Sequence, residues 1–227
     1  MHIADFRSGV NPLSKLIEEL VYIFEWLEYS IPDLSDRYKP GLTRQQIDTI
    51  VKDLPFKLSE EVYELYQWRN GKSECGENSG ENVADFLFPD HHIHGNLSIP
   101  FWSLQESIKR YHELWKSHES MISEEPHSGF MLWKQDWFPI ASMENKTMLC
   151  VIGNLNPSPV YQIEFAGFEK PLRTYANLTS MMSVIAECCE SDLYKIIPDE
   201  YEETYFYIKL DEGKRDLERA IYQKYNS

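Results

Sequence analysis

The chain has 227 residues, is 42% apolar and 14% aromatic, and carries 37 acids against 22 Lys and Arg, a net charge of −15. This length allows one large domain or two small ones, and the apolar content is too high for a disordered chain. The acidity argues against direct binding to duplex DNA or an anionic membrane, because phosphate contacts need clustered Lys and Arg. No apolar stretch approaches the ~20 residues that span a bilayer, and Met1–Val10 has no apolar segment typical of a secretory signal.

The first predicted element is a helix from about Pro12 to Tyr29, because apolar residues recur there at three- and four-residue steps. Pro12 suits the first turn, and Pro32 prevents continuation of the helix. We expect the apolar stripe to pack on the rest of the protein, with a dimer contact as the alternative.

Three more helices are predicted in the next hundred residues. The first begins at Thr43, which has Gln three residues later in the capping-box position. The second spans Ser59 to Arg69 and ends at Asn70-Gly71, because Gly adopts the left-handed conformation easily. The third begins at Ser103, which again has an acid three residues later.

Two polar segments are predicted to be loops, Lys72–Asn82 and Ser117–Gly129. Beyond them the apolar pattern takes the period of strands, and a turn-forming segment joins two of them as an antiparallel hairpin. The predicted strands are residues 137–141, 147–152, 160–165 and 205–210, and the predicted helices are residues 178–190 and 212–225.

Strands and helices are partly segregated, so the fold class is predicted as α+β, an antiparallel β-sheet packed against several helices with an extra N-terminal helix. The expected division is an N-terminal helical extension (1–40), a central domain (41–197) and an acidic C-terminal extension with a terminal helix (198–227).

The negative charge is unevenly placed. Residues 59–90 have a net charge of −6 and residues 180–212 a net charge of −7, so the other 162 residues are nearly balanced. A solvated surface that keeps the protein soluble explains such patches. The alternative is a docking surface for a basic partner.

The four cysteines predict reduced thiols and a cytoplasmic location. They show no C-x-x-C spacing, and Cys188 and Cys189 are adjacent, where a disulfide is strained. Since residues on a helix differ by 100°, we expect one of this pair in the core and the other at the surface.

His91, His92 and His94 are the candidate metal ligands, with Asp90 adjacent. They follow a Pro and precede Gly-Asn, which favours an exposed polar turn over a metal site. The chain has no nucleophile elbow, no phosphate-binding Gly-rich loop and no isolated pair of carboxylates suited to acid–base catalysis. We therefore expect no enzymatic activity, no cofactor and no metal.

Several motifs in order resemble those of SUKH domains, the SMI/KNR-type superfamily of bacterial immunity proteins and fungal cell-wall assembly regulators. The segment 41–47 and Leu54-Pro55 resemble the opening "G-L-t-x-x-x-I" and "L-P" of that family. Residues 61–71, 101–108, 133–141 and 175–181 resemble its later motifs. Residues 142–146 depart from the usual "dg-G-D", so a ligand contact there is not carried over.

The resemblance implies an α+β domain without enzymatic activity that binds a protein, and in many relatives that protein is a toxin. The motif residues also have structural interpretations, which we favour. They are Trp68, Asn70, Gly71, Trp137, Pro139 and Ile140.

We predict an immunity protein that binds a basic, nuclease-like toxin stoichiometrically through the loop at 72–82 and the acidic segment 199–203, with Tyr201 or Tyr205 as an aromatic anchor. The alternatives are a regulator that binds an endogenous partner and a metal-dependent enzyme that uses the three His. The acids expected to contact the partner are Glu74, Glu77, Glu81, Asp85, Asp199, Glu200, Glu202 and Glu203.

Overall fold

The structure is a computed structural model of the chain, and it describes nine ranges of residues. These are residues 13–31, 34–72, 88–90, 97–99, 101–124, 133–143, 147–164, 171–198 and 206–227.

Six α-helices lie in these ranges, and their ends follow the capping residues. Thr43 and Gln46 form the predicted capping box of the second helix. Asn177 and Ser180 form a capping box at the start of the fifth helix, which was not predicted from the sequence. No helix within the described ranges combines the length and the apolar character needed to cross a bilayer. The helices are α1 (Lys15–Ser30), α2 (Arg44–Val51), α3 (Glu60–Trp68), α4 (Leu104–Glu124), α5 (Leu178–Glu190) and α6 (Arg215–Asn226).

Helix α4 continues through Glu124, so the prediction of a polar connection from Ser117 was wrong. The polar residues in this region do not interrupt the helix, because they project from its exposed side: Ser117 and Glu119 are exposed, whereas Trp115 is half-buried. A polar stretch on a helix indicates a solvated face as readily as a loop.

The strands form one four-stranded antiparallel sheet in the order β5-β6-β7-β8 and three two-stranded antiparallel sheets, β1-β2, β3-β4 and β9-β10. This arrangement confirms the predicted α+β class. The strands are β1 (Tyr38–Pro40), β2 (Arg69–Lys72), β3 (Phe88–Asp90), β4 (Leu97–Ile99), β5 (Trp137–Met143), β6 (Thr147–Ile152), β7 (Val160–Glu164), β8 (Leu172–Tyr175), β9 (Tyr194–Pro198) and β10 (Phe206–Leu210).

The loop of the predicted β6–β7 hairpin is docked on the chain just before α3. The backbone N–H of Asn154 donates to the carbonyl of Lys57 at 2.8 Å, and the N–H of Lys57 donates to the Asn154 side-chain oxygen at 3.0 Å. Gly153 permits this approach, because a Cβ atom there would lie 2.4 Å from the ring of Phe56. The sheet is thereby fixed to the N-terminal end of α3.

The main core lies between the helices and one face of the four-stranded sheet. Helix α1 packs on α5 and α3, and α6 also packs on α5. Because α5 is enclosed on nearly all sides, Cys188 and Cys189 are both buried, and the prediction that one of them is a surface thiol was wrong.

Candidate protein-binding surface

The eight acids predicted to contact a partner lie outside the described residues. They fall in residues 73–87 and 199–205, and the latter range also holds Tyr201 and Tyr205. The three candidate metal ligands at residues 91–94 lie outside as well. The predictions for these residues therefore stay predictions.

The strands that flank these two segments are described, and they lie close together. Residues 73–87 lead from β2 into β3, and residues 199–205 connect β9 to β10. Strand β4, which pairs with β3, contacts β10. The hairpin β3–β4 and the hairpin β9–β10 are therefore neighbours.

The acids of α3 are engaged within the fold, although they belong to the negative segment 59–90. Both carboxylate oxygens of Glu60 accept hydrogen bonds from the guanidinium of Arg44, at 2.7 and 2.8 Å. This pairing lowers the pKa of Glu60. The guanidinium of Arg44 also lies over the ring of Tyr63, 4.5 Å from its centroid.

The other two acids of α3 bind the starts of two other helices. Glu64 accepts a hydrogen bond at 2.7 Å from the hydroxyl of Ser14, the N-cap of α1. Glu61 accepts from the backbone N–H and the hydroxyl of Thr179, at 3.0 and 2.6 Å, at the start of α5. These carboxylates join helices, so they are not a free docking surface.

The negative segment 180–212 is also partly neutralised within the fold. Glu187 on α5 accepts hydrogen bonds at 2.6 Å from the Lys224 ammonium and the Tyr225 hydroxyl of α6, which lower its pKa. Glu212 pairs with Arg215 at 2.7 Å. Counting charges along the sequence could not reveal these pairs, because one partner of each comes from outside the segment.

Asn70 and Gly71 do not end α3 as predicted, since α3 ends at Trp68 and both residues lie in strand β2. The Asn70 side-chain oxygen accepts a hydrogen bond at 2.8 Å from the backbone N–H of Leu104, at the start of α4. Gly71 has the predicted left-handed φ, +66°, and a Cβ atom on it would lie 2.3 Å from the backbone of Trp102 and Ser103. The pair therefore holds β2 against the start of α4.

The remaining motif residues lie in packed surroundings. Trp68 makes an edge-to-face contact with Phe24 of α1, with ring centroids 5.4 Å apart. Ile140 is in the main core and Pro139 is buried in the sheet. Trp137 belongs to a second apolar cluster with Trp133.

The buried thiols have little nucleophilic character. Burial raises the pKa of Cys188 to about 12 and that of Cys150 well above its ordinary value, so both stay protonated at neutral pH. Among the residues that the structure describes, no group of three His, Cys, Asp or Glu side chains is placed to hold a metal ion.

One exposed surface was not predicted from the sequence, namely the outward side of α1. Glu18, Tyr22, Glu25 and Tyr29 are all exposed there. The sequence signal was their spacing of four, three and four residues, which places them on one face of a helix.

Comparison with known proteins gives one family. The sequence model of the SMI1 / KNR4 family (SUKH-1) matches residues 41–184, well over half of the chain, and includes α2 to α4 and the four-stranded sheet. No curated protein matches the chain significantly. Helices α1 and α6 lie outside the matched residues, although both pack into the same core. The chain belongs to the SMI1 / KNR4 family (SUKH-1).

Proposed function

We propose that this chain is a non-catalytic protein-binding domain, an immunity protein that neutralises a basic, nuclease-like bacterial toxin by stoichiometric binding. The observation that carries the proposal is the distribution of negative charge along the chain. Residues 73–87 and 199–205 contain eight acids and no Lys or Arg. The three acids of α3 and Glu187 of α5 are engaged within the fold, so we expect the acids of these two segments to supply most of the charge that meets the toxin.

The framework around the two segments supports a joint surface. The hairpins β3–β4 and β9–β10 are neighbours through the contact of β4 with β10, and each borders one acidic segment. Two acidic segments on adjacent hairpins create a larger negative field than either alone, which speeds the encounter with a basic protein.

The proposed inhibition is electrostatic and steric. A nuclease binds nucleic acid with clustered Lys and Arg, and the same cations would pair with the acids of the two segments. Tyr201 and Tyr205 would supply apolar contact area at the centre of the interface. A cytoplasmic site of action agrees with the free, buried thiols Cys188 and Cys189.

The test is capture of the partner from the native host with the tagged full-length chain, followed by kinetics with the purified toxin. The test variant is Glu77→Lys/Glu81→Lys/Glu202→Lys/Glu203→Lys. The matched control, Asp36→Lys/Asp53→Lys/Glu119→Lys/Asp216→Lys, reverses four exposed acids elsewhere and changes the net charge equally.

We expect the test variant to associate about tenfold or more slowly than the control and to lose most of the salt dependence of association. Equal affinity of the two variants for the captured toxin at low salt would overturn the acidic-surface proposal. Capture of an endogenous regulatory protein instead of a toxin would overturn the immunity role and favour the regulatory alternative.

A further inference from the structure

Helix α1 has one face that the core does not use. Glu18, Tyr22, Glu25 and Tyr29 follow one another at steps of four, three and four residues, so at 100° per residue they lie within about 60° of each other. Tyr29 is 93% exposed and Tyr22 is 39% exposed. The buried face on the opposite side consists of Leu16, Leu20, Ile23, Phe24 and Leu27.

Neither helix formation nor core packing accounts for the ring of Tyr29, whereas the ring of Tyr22 is partly covered and presents only part of its surface to solvent. Tyr is a weaker helix former than Lys, Glu or Ala, because its side chain loses rotamer freedom against the preceding turn. Half-buried Trp26, four residues after Tyr22 and three before Tyr29, extends the aromatic surface. An exposed Tyr favours a binding surface, because Tyr and Trp are among the residues that supply most of the energy in protein interfaces.

The charge of this face is negative. Helix α1 carries four acids and one cation, and that cation, Lys15, pairs with Glu19 at 2.7 Å. Among the described residues, Glu18 and Glu25 make no ion pair. The end of α5 near Tyr22 adds the exposed acids Glu190 and Asp192, with the Lys214 ammonium bound to the Asp192 carbonyl beside them.

The fold itself contains the interaction that such a face offers. The guanidinium of Arg44 stacks on the ring of Tyr63 at 4.5 Å and forms two hydrogen bonds with Glu60. A planar guanidinium binds a ring face and a carboxylate at the same time, whereas an ammonium does so less well. The exposed stripe of α1 offers the same two kinds of partner to a guanidinium, a carboxylate and a tyrosine ring, and it offers each of them twice.

Charge decides the occupant of this face. Two copies of the chain would bring their negative stripes together, which disfavours a dimer through α1. Nucleic acid and anionic lipid are repelled for the same reason. The complementary partner is a protein surface that bears arginine.

We infer that the outward stripe of α1, Glu18, Tyr22, Glu25 and Tyr29, docks an arginine-bearing surface of the toxin. This inference rests on the proposed function, since it assigns a second contact to the same partner. Guanidinium groups stack on Tyr22 and Tyr29 and pair with Glu18 and Glu25. The stripe lies outside the residues matched by the family, so it gives this chain a contact that the matched domain does not include.

The first experiment uses octa-arginine and octa-lysine peptides as probes of the isotope-labelled full chain, with affinity read from backbone amide shifts of residues 18–30. We expect octa-arginine to shift these amides and to bind more tightly there than octa-lysine. The variant Tyr22→Leu/Tyr29→Leu should bind octa-arginine about tenfold more weakly at these amides. The control Leu172→Ala changes an exposed apolar residue of β8 and should keep the wild-type affinity.

Three results would overturn the inference. One is the absence of octa-arginine shifts at the α1 amides, and another is unchanged affinity there in the double variant. The third is a dimer in sedimentation that Tyr29→Arg dissociates, which would make the stripe an interface between two copies.

The toxin itself separates this inference from the proposed function. The ring variant Tyr22→Leu/Tyr29→Leu should release the captured toxin about tenfold faster, since loss of close contacts acts mainly on dissociation. Unchanged release would refute the α1 contact and leave the proposed function standing. If no toxin is captured while octa-arginine still shifts the α1 amides, the proposed function is wrong and the toxin is not the partner of the stripe.

Discussion

The side-chain oxygen of Asn70 lies 2.8 Å from the backbone nitrogen of Leu104, although 34 residues separate the two along the chain. The bond satisfies an N–H group in the first turn of α4, where the helix itself offers no acceptor. The Asn70 amide nitrogen donates in turn to the Gln105 side chain at 3.2 Å. One side chain therefore ties strand β2 to the start of the longest helix.

Replacement of Asn70 by Ala should lower the free energy of unfolding by about 1–3 kcal/mol, because the buried N–H of Leu104 loses its acceptor. Asn70→Asp keeps an acceptor at the same place and should lose less. Gln105→Ala, which removes only the exposed partner, is the control. Urea denaturation followed by circular dichroism gives the three values, and an equal loss in Asn70→Ala and Gln105→Ala would contradict the assigned role.

Gly71 should tolerate no side chain. Gly71→Ala would require a left-handed φ of a residue with a Cβ atom and would place that atom 2.3 Å from the backbone at residues 102–103. The contacted atoms belong to the backbone and cannot move aside as a flexible side chain could. We therefore expect the free energy of unfolding to fall by about 2–5 kcal/mol, or the variant to fail to fold. Gly213→Ala, where the nearest atom is 3.4 Å away, should stay within about 0.5 kcal/mol of the wild type. Similar thermal midpoints for the two variants would contradict this account.

Helix α1 lies outside the family match, yet it should be essential to stability. Leu20 is fully buried between α1 and its neighbours, and Leu20→Ala should cost about 2–5 kcal/mol in the free energy of unfolding. Leu13, just before the same helix, is 43% exposed, and Leu13→Ala should change stability by less than about 0.5 kcal/mol. A small effect of Leu20→Ala would mean that α1 is a separate appendage.

Local signals predicted the helices and the longer strands well. The capping box at Thr43, the apolar stripe of α1 and the hairpin of β6 and β7 depend on residues close in sequence. The short strands β1 to β4, β8 and β9 were missed, because three to five residues without a clear period carry too little pattern. Their pairing is a property of the folded chain.

The candidate surface was harder to predict, because charge along a sequence does not reveal which acids are free. Glu60, Glu61 and Glu64 stand in an acidic segment, but their partners Arg44, Thr179 and Ser14 come from three other places in the chain. The exposure of Tyr29 was not predicted, although its helical spacing from Tyr22 places both residues away from the apolar stripe of α1.

Acidification should weaken the attachment of α6 to α5. The hydrogen bonds from Lys224 and Tyr225 lower the pKa of Glu187 below its ordinary value of 4.5. A carboxyl group whose pKa is lower in the folded state contributes stability above its unfolded pKa and loses that contribution as the pH falls through the folded pKa. The stability advantage of the wild type over Glu187→Gln should therefore be full above about pH 5 and shrink as the pH falls below 4.5.

The matched background for this measurement is Lys224→Met/Tyr225→Phe, which removes both donors and leaves the carboxyl group in place. In that background Glu187 loses the cause of its lowered pKa, so adding Glu187→Gln should no longer change the slope of the unfolding free energy between pH 5 and pH 3. The four proteins form a double-mutant cycle, measured by urea denaturation at each pH. A slope difference that persists without the two donors would assign the acid sensitivity to another carboxylate.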